Sequence, residues 1–333
     1  MVKTVGVALG SFNGARFIGE QLKSIIEQSV PPQQLIVADD GSDDSTFDIV
    51  SDLLRDSHVV VTWFDGQTTS KGLKRQLGVA GNFERILREF YRRPIELIAL
   101  SDQDDYWYPD RLEKLIPLFS NPNVLLVHTD ARLVAANGES LGKTLFDYLE
   151  ISHIEHQREL NGKAFSVFLR RNLVTGATAI FHRDLLEHAL PIPEQWLHDE
   201  WLAVIAAAFD GVRIVNKSTI DYRQHGANLI GVQKPSLINK LRVISRSRGD
   251  KYQRLADRFG TLADRLEQMQ PYVRLEYVHA AREKADFERR RANFPKARIL
   301  RVIPVVRLAL SGAYSQFSSR GRADIVRDLI QPA

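Results

Sequence analysis

Short apolar runs and amphipathic stretches alternate along the first half of this 333-residue chain. The apolar runs are rich in β-branched residues and almost free of charge, which is the pattern of strands buried on both faces. They predict strands at 4–9, 34–38, 58–64, 95–100 and 123–128.

Helical periodicity fills the intervals between these strands. In the first interval apolar residues recur at i, i+4, i+7 and i+8, at Ile18, Leu22, Ile25 and Ile26. Further helices are predicted to begin near Ser45, to cover about 82–91 and to begin after Pro109. The alternation predicts an α/β fold, with a mostly parallel sheet and helices on both faces. Ligands of such sheets bind outside the carboxyl ends of the strands.

The second half of the chain divides near residue 232. Residues 172–230 contain "LVTGATAIF", the helix-like "HDEWLAVIAAAF" and the strand-like "VRIVN", and we expect them to complete the first domain, 1–232. From Gln233 onward the pattern is that of helices with Arg-rich faces. An apolar seam at heptad-like spacing runs through this region, at Leu255, Phe259, Leu262, Leu266 and Met269. The sequence thus predicts a helical C-terminal region over 233–333.

Charge separates the two regions more sharply than the net charge of +4 indicates. The C-terminal region carries 22 Lys and Arg against 10 Asp and Glu, whereas the preceding 232 residues carry 23 against 31. The chain has no cysteine, which excludes disulfides, thiolate metal sites and a cysteine nucleophile. An acidic first domain also argues against nucleic acid as a partner of the basic tail.

The N-terminal residues and the basic C-terminal region, called the tail below, lead to expectations about cellular location. The N-terminal residues lack the pattern of a secretion signal, and no run of about 18 uncharged apolar residues suggests a membrane span. We therefore expect a cytoplasmic protein. The basic tail has two interpretations. Its helices pack through the apolar seam on the first domain, or its Arg-rich surfaces around 242–254, 289–291 and 298–307 dock on the inner face of an anionic membrane.

Two acidic clusters directly follow predicted strands, so both fall at the carboxyl edge of the sheet. In "SDQDD", the carboxylates of Asp102, Asp104 and Asp105 are crowded enough to raise one another's pKa unless a cation is present. Hard oxygen ligands without cysteine suit Mg²⁺ or Mn²⁺, which in such clefts commonly hold phosphates. The alternative is a turn that merely caps the next helix.

The other cluster, "VADDGSDDST", is not an EF-hand loop, because its glycine is misplaced and no glutamate closes the ring. Asp43 and Asp44 are candidates for capping the helix that begins near Ser45. Asp39 and Asp40 lie at the strand tip, where a carboxylate can accept hydrogen bonds from a nucleotide base or ribose.

Seven segments together resemble the rhamnosyltransferase-like branch of glycosyltransferase family 2, which has a GT-A-type, Rossmann-like fold. They cover roughly residues 3–232 in the family's order: "SFNGARFIGEQLKSIIEQS", "IVADDGSDDST", "LGVAGNFERIL", "IALSDQDDYWYPDRLEKL", "TGATAIFHRDLL", "HDEWLAVIAA" and "YRQHGANLIG". The segments "SDQDDYW" and "YRQHGANLIG" indicate the rhamnosyl branch.

The resemblance implies a role for each matching residue. Asp104 would ligate the metal, with His225 as a further ligand, and Asp199 or its neighbour Glu200 would be the general base. Trp107, Trp196 and Trp201 could stack on acceptor sugars or belong to the core. The residues expected to hold the nucleotide sugar are Leu9, Ser11, Phe12, Asp39, Asp40, Asn82, Asp102, Gln103 and Arg223.

The implied reaction is an inverting, metal-dependent transfer of L-rhamnose from dTDP-L-rhamnose to a saccharide or lipid-linked saccharide, in the synthesis of a bacterial surface polysaccharide such as O-antigen. Three alternatives remain open from the sequence: a UDP-sugar donor, a nucleotidyl- or phosphotransferase, and an inactive subunit that binds nucleotide sugars. The absence of a GxxxxGK[ST] phosphate loop disfavours the second, and the acidic pair at 199–200 disfavours the third.

Overall fold

The computed structural model describes residues 3–55, 57–68, 74–225 and 249–332. The chain forms two compact units. Unit 1 comprises Met1–Ala164 and Leu173–Val232, and unit 2 comprises Phe165–Asn172 and Gln233–Ala333. The short segment that groups with unit 2 lies inside the range predicted for the first domain. Assignment of a function to each domain stays a prediction.

The strands of unit 1 lie close to the predicted apolar runs. Their bounds are β1 Val5–Ser11, β2 Gln34–Asp39, β3 Val60–Phe64, β4 Gln67–Thr68, β5 Lys74–Arg75, β6 Leu97–Ser101, β7 Tyr106–Trp107, β8 Leu126–Ala135, β9 Ser140–Thr144, β10 Ala179–His182 and β11 Val212–Gln224. The last predicted run, 123–128, proves to be the beginning of the longer strand β8.

One large sheet has the strand order β3-β2-β1-β6-β10-β8-β11-β7, with β9 paired to β8. Strands β1, β2, β3 and β6 pair in parallel, and β8 pairs in parallel with β11. The short strand β10 runs antiparallel to both β6 and β8. The carboxyl ends of β1, β2, β6, β8 and β11 therefore face one edge of the sheet, and β10 begins at that same edge.

Helices cover this sheet and make up unit 2. Their bounds are α1 Ile18–Ile26, α2 Thr46–Leu54, α3 Gly78–Tyr91, α4 Arg111–Leu115, α5 Leu145–Tyr148, α6 His153–Leu160, α7 Ala164–Phe168, α8 Leu185–Ala189, α9 His198–Ala208, α10 Lys251–Gln268, α11 Leu275–Ala292, α12 Val302–Leu310, α13 Ala313–Phe317 and α14 Arg322–Ile330. Short 3₁₀ turns cover Ile116–Ser120, Gly176–Thr178 and Arg298–Arg301. The predicted α/β fold is confirmed.

The core of unit 1 forms where the central strands meet α1 and α3. Val7 of β1, Leu35 of β2 and Ala99 of β6 are completely buried, which explains why their strands read as continuous apolar runs. The periodic residues of α1, such as Leu22 and Ile25, are equally buried. This burial fixes the strands in register and so fixes the loops that leave their carboxyl ends.

Unit 2 contains a buried network of charges. The guanidinium of Arg291 donates to Asp328 Oδ2 at 2.7 Å, to Glu288 Oε2 at 3.1 Å and to the Tyr252 hydroxyl at 3.0 Å. Lys284 Nζ donates to Glu288 Oε1 at 2.6 Å. Buried charges are tolerated only when they are paired and hydrogen-bonded, so these pairs hold the helices of unit 2 in one arrangement. The predicted seam packs in the same unit, with Phe259, Leu262, Leu266 and Met269 buried and Leu255 partly so.

Candidate active site

The register of the sheet brings the two acidic clusters to neighbouring strand ends. Ser11 at the end of β1 lies opposite Asp39 of β2, and Leu9 lies opposite Ser101 at the end of β6. The loops after β2 and after β6 therefore lie on either side of the loop after β1. This is the convergence that the sequence predicts from the parallel-sheet rule.

Asp39 is used to shape its own loop. Its Oδ2 accepts hydrogen bonds from the backbone N–H groups of Gly41 and Ser42 at 2.9 and 2.7 Å, and its Oδ1 accepts the Ser42 hydroxyl at 2.5 Å. Such local carboxylate-to-backbone bonds fold a tight turn. Asp39 is predicted to hold the nucleotide, and the structure places it as the residue that shapes this loop.

Asp40 caps the beginning of α3 from a distance in sequence. Its two carboxylate oxygens accept the backbone N–H groups of Leu77 and Gly78 at 2.7 and 2.9 Å. The predicted nucleotide ligand Asn82 is buried in the same helix and donates to the carbonyl of Ala38 at 2.6 Å. Both side chains thus tie α3 to the end of β2.

Asp44 joins the loops after β1 and β2, besides contacting the first turn of α2. It accepts the N–H of Ala15 at 3.0 Å and that of Thr46 at 3.1 Å, and it also accepts the Thr46 hydroxyl. Burial alone would raise the pKa of Asp44, but these hydrogen bonds outweigh it and lower the pKa. Ser45 is the N-cap position and makes no side-chain cap.

Gln103 joins the loops after β1 and β6. Its Oε1 accepts the N–H of Phe12 at 2.8 Å, and its Nε2 donates to the Phe12 carbonyl at 2.9 Å. A Cβ on Gly14 would lie 2.2 Å from that Oε1, so a larger residue at this position would displace the Gln103 amide. The ring of Phe12 is exposed, whereas Ser11 and Leu9 are buried. Gln103, Leu9 and Phe12 are all predicted nucleotide ligands. Gln103 joins two loops and Leu9 is a core residue, whereas the Phe12 side chain is accessible to a ligand.

The acidic loop after β6, residues 102–105, meets the end of β11. Strand β7 pairs with β11 through Trp107 and Ile220, which sets the acidic loop before β7 beside the residues that follow β11. His225 Nε2 lies 2.7 Å from Asp104 Oδ2, and both side chains are about one-tenth exposed, at 10% and 13%. The two predicted metal ligands, 121 residues apart in sequence, are therefore in direct contact.

Arg223 supports the acidic loop through its guanidinium group. Its Nε donates to the Asp104 carbonyl at 2.9 Å, its Nη1 to the Ala136 carbonyl at 3.0 Å and its Nη2 to Glu20 Oε2 at 2.6 Å. These three bonds make Arg223 a positioning residue for the loop that carries Asp104. Its expected role in holding the nucleotide sugar stays a prediction.

The acidic loop crowds three carboxyl groups together, which suits a divalent cation. Burial, then the charges of Asp104 and Asp199, raises the pKa of Asp102 to about 7. Burial, then the charges of Asp104 and Asp102, raises the pKa of Asp105 well above its usual value. Asp105 Oδ2 is buried and has no hydrogen-bond partner among the described residues. Carboxylate oxygens and one imidazole nitrogen are donors that Mn²⁺ and Mg²⁺ accept. The residues present fit such an ion.

The side chains of the described residues do not by themselves enclose that ion. Within the described ranges, no three His, Asp or Glu side chains converge in the arrangement of a metal site. Among the described residues, Asp104 and His225 would therefore supply two positions.

Asp199 is held at the same edge by the beginning of β10. Its Oδ2 accepts the N–H of Gly176 at 2.9 Å, in the turn that leads into β10, and its Oδ1 accepts the N–H of Glu200 at 2.7 Å. Asp199 lies in the first turn of α9, where the helix dipole favours a carboxylate. The charge of Asp199 helps to raise the pKa of Asp102, so Asp199 lies near the acidic loop.

Two further residues of this site are absent from the predicted set. Burial and the charges of Asp102, Asp105, Asp104 and Asp199 raise the pKa of Tyr222, which lies two residues before Gln224, at the end of β11. His198 is buried, stacks on Phe83 with ring centroids 3.9 Å apart, and has its pKa lowered by burial to about 3. Both belong to the quoted segments "YRQHGANLIG" and "HDEWLAVIAA", which are the signal that could have identified them.

The three tryptophans predicted to stack on an acceptor are core residues. Trp107 and Trp201 are completely buried and Trp196 is 3% exposed. Arg111 covers the ring of Trp107, and the indole N–H of Trp201 donates to the Ala189 carbonyl at 2.7 Å. A buried ring offers no face to a sugar, so the acceptor-binding prediction is wrong for these side chains.

The cap made by Asp40 gives a stability prediction. Asp40→Ala removes the acceptor for two N–H groups at the start of α3, and we expect the free energy of unfolding to fall by about 1–2 kcal/mol. Urea denaturation followed by circular dichroism measures this. The control is Asp43→Ala, an exposed carboxylate of the same loop, for which we expect a change within about 0.5 kcal/mol. Equal effects in the two variants would contradict the capping role.

Comparison with known proteins adds a family match and several similar proteins to this geometry. The model of the family described as Glycosyl transferase family 2 matches residues 7–189, more than half of the chain. The chain is 25% identical over 230 residues to the dTDP-rhamnosyl transferase RfbG of Shigella flexneri, a match that covers 67% of this chain and 73% of that protein.

The fold also resembles solved structures. The mannosyltransferase PcManGT from Pyrobaculum calidifontis, in complex with GDP-Man and Mn²⁺, matches with a TM-score of 0.52 and 18% identity, over 98% of this chain and 86% of that one. S. aureus TarS 1–349 in complex with UDP matches with a TM-score of 0.50 and 17% identity, over 98% and 89%. At these identities the likeness concerns the fold.

Proposed function

The chain belongs to glycosyl transferase family 2, and we propose on that premise that it transfers L-rhamnose from dTDP-L-rhamnose to a saccharide or lipid-linked saccharide, with inversion at the anomeric carbon. As a family 2 glycosyltransferase it uses a nucleotide-sugar donor. The observation that carries the proposal is the meeting of Asp104, His225 and Asp199 at one edge of the sheet. The rhamnosyl donor is supported by the similarity to RfbG.

In this proposal Asp104 and His225 hold a divalent cation, Mg²⁺ or Mn²⁺. Bound there, the cation would neutralise charge on the diphosphate of the donor and make it a better leaving group. Asp104 Oδ2 and His225 Nε2 already face each other at 2.7 Å, and Arg223 fixes the Asp104 backbone that carries the ligand. The complex of PcManGT with GDP-Man and Mn²⁺ is consistent with a cation in this fold.

Asp199 serves as the general base. The acceptor hydroxyl oxygen forms a bond to the anomeric carbon while the bond to the diphosphate breaks, and the hydroxyl proton passes to the Asp199 carboxylate. The N–H groups of Gly176 and Glu200 orient that carboxylate. One displacement with one base inverts the anomeric carbon. Neighbouring residues in a helix project about 100° apart, so only one of Asp199 and Glu200 can face the acidic loop. Asp199 is favoured because its charge acts on Asp102.

The loops after β1, β2 and β6 form the nucleotide pocket. Asp39, Asp40 and Gln103 shape these loops through backbone hydrogen bonds. Asp102, at the start of the acidic loop, is the carboxylate that we assign to the ribose. Phe12, whose ring is 39% exposed, is the side chain that we assign to the base.

A donor screen tests the proposal directly. Thermal unfolding of the full chain is measured with dTDP-L-rhamnose, UDP-sugars and GDP-mannose, each with and without Mn²⁺. We expect protection by dTDP-L-rhamnose that depends on Mn²⁺, since a ligand at 100 times its Kd stabilises by roughly 2.7 kcal/mol. Protection by a UDP-sugar in its place would contradict the rhamnosyl donor and retain the family. No response to any donor would contradict the proposed binding.

A further inference from the structure

An exposed apolar strip lies on α12 and the turn that precedes it. It consists of six large apolar side chains that are 45–83% exposed, Ile299, Leu300, Val302, Ile303, Val306 and Leu310. Residues three and four apart in a helix share a face, so Ile303, Val306 and Leu310 form a continuous ridge. The opposite face of α12 is fixed inward by Val305 and Leu308, which are buried. The strip therefore points outward because the rest of the helix is anchored.

The sequence segment that contains this strip is strongly basic. Residues 289–323 contain nine Lys and Arg and no Asp or Glu. Lys296, Arg298 and Arg307, which border or interrupt the strip, are exposed. Arg301 is the exception, since it is buried and donates to the carbonyls of Gln331 at 2.5 Å and Lys296 at 2.7 Å. It locks the turn that presents Ile299 and Leu300 to solvent.

We propose that this strip docks on an anionic lipid surface, with α12 lying in the interfacial plane. Exposed apolar side chains along one helix face, bordered by arginine and lysine, are the features of helices that insert shallowly beside acidic headgroups. A second copy of the chain is the weaker occupant, because self-association would bring two basic, unneutralised faces together. No helix in the described part of the chain is long and apolar enough to cross a bilayer, so the contact is with the surface.

This docking does not rest on the proposed sugar transfer. The strip belongs to unit 2, and its residues are separate from Asp104, Asp199 and His225. The two proposals can therefore fail independently, and the donor screen above needs no membrane.

Vesicle sedimentation with the full chain tests the docking. The probes are vesicles of phosphatidylcholine with phosphatidylglycerol and vesicles of phosphatidylcholine alone. We expect binding to the anionic vesicles, weakened by added salt, and little binding to the neutral ones. The paired substitution Ile303→Glu with Leu310→Glu places two acids on exposed positions and should reduce the partition coefficient more than about tenfold. Arg298→Gln with Arg307→Gln should reduce it more than about fivefold on anionic vesicles only.

The control is Leu275→Glu, which makes one such change at a 56%-exposed position of unit 2 outside the strip. The single variant Leu310→Glu is its matched counterpart within the strip. Leu275→Glu should retain binding, and all variants should keep the melting temperature of the parent chain. Absence of binding to anionic vesicles, or equal loss in Leu275→Glu and Leu310→Glu, would overturn the proposal. So would concentration-dependent dimerisation abolished by the strip variant without an effect on vesicle binding, since the strip would then bind a second copy.

Discussion

Asp199→Asn is expected to abolish sugar transfer and to leave donor binding intact. The amide cannot take the proton of the acceptor hydroxyl, and loss of a general base costs typically 10²–10⁴-fold in rate, so we expect kcat to fall by roughly that factor. The amide retains an oxygen that can accept the N–H of Gly176, which keeps the first turn of α9 in place. Single-turnover transfer from the donor identified by the screen measures the rate, and calorimetry with the same donor measures binding.

Glu200→Gln provides the matched control for this substitution. It makes the same chemical change one residue along the same helix, and we expect it to retain most of the activity. Loss of activity in Glu200→Gln together with full activity in Asp199→Asn would assign the base to Glu200. Weakened donor binding in Asp199→Asn would instead indicate that this carboxylate contacts the donor.

Asp104→Asn is expected to remove metal-dependent binding of the nucleotide. The amide has no charge to hold a divalent cation, and its contact with His225 Nε2 becomes a neutral hydrogen bond. Changes merely in the second shell of a metal site cost roughly 10–100-fold in affinity, so a first ligand should cost at least about 100-fold. Calorimetric titration of dTDP in the presence of Mn²⁺, compared with titration in EDTA, measures the metal-dependent part of the affinity. His225→Ala should lower the same quantity by a smaller factor.

The control for Asp104→Asn is Asp43→Asn, in the other acidic cluster. Asp43 is exposed, and its backbone N–H donates to Asn13 Oδ1 at 3.0 Å. It should bind nucleotide and metal like the parent chain. Metal-dependent binding that survives in Asp104→Asn would refute the assignment of Asp104 as a ligand. Another residue of the acidic loop would then hold the cation.

The two acidic clusters show how far local sequence identifies a role. Both follow strands, and the parallel-sheet rule places both at the ligand edge. Within the clusters, however, the choice between a ligand contact and a backbone contact depends on where the backbone N–H groups of other segments lie. Asp40 meets the start of α3, 37 residues away, and Asp44 meets Ala15, 29 residues away. No pattern within the cluster itself carries that information.

The tryptophans show the same limit from the opposite direction. Composition and neighbourhood suit Trp107 and Trp201 equally to a sugar platform and to a core. Their burial is decided by Arg111 lying over one ring and by Trp196 packing 5.3 Å from the other. Aromatic side chains near a polar cluster are therefore assigned only when the neighbouring elements are in place.

The sequence by itself determined the α/β fold, the positions of the strands that end in acidic clusters and the separation of an acidic first region from a basic helical one. These properties follow from hydrophobic periodicity and charge, which are local and summed along the chain. The tertiary structure decided that β10 runs antiparallel between β6 and β8, so that Gly176 holds Asp199 at the ligand edge. It also decided that the pairing of β7 with β11 brings His225 to Asp104. Strand pairing between distant segments depends on the packing of the whole sheet, and no single stretch of the chain encodes it.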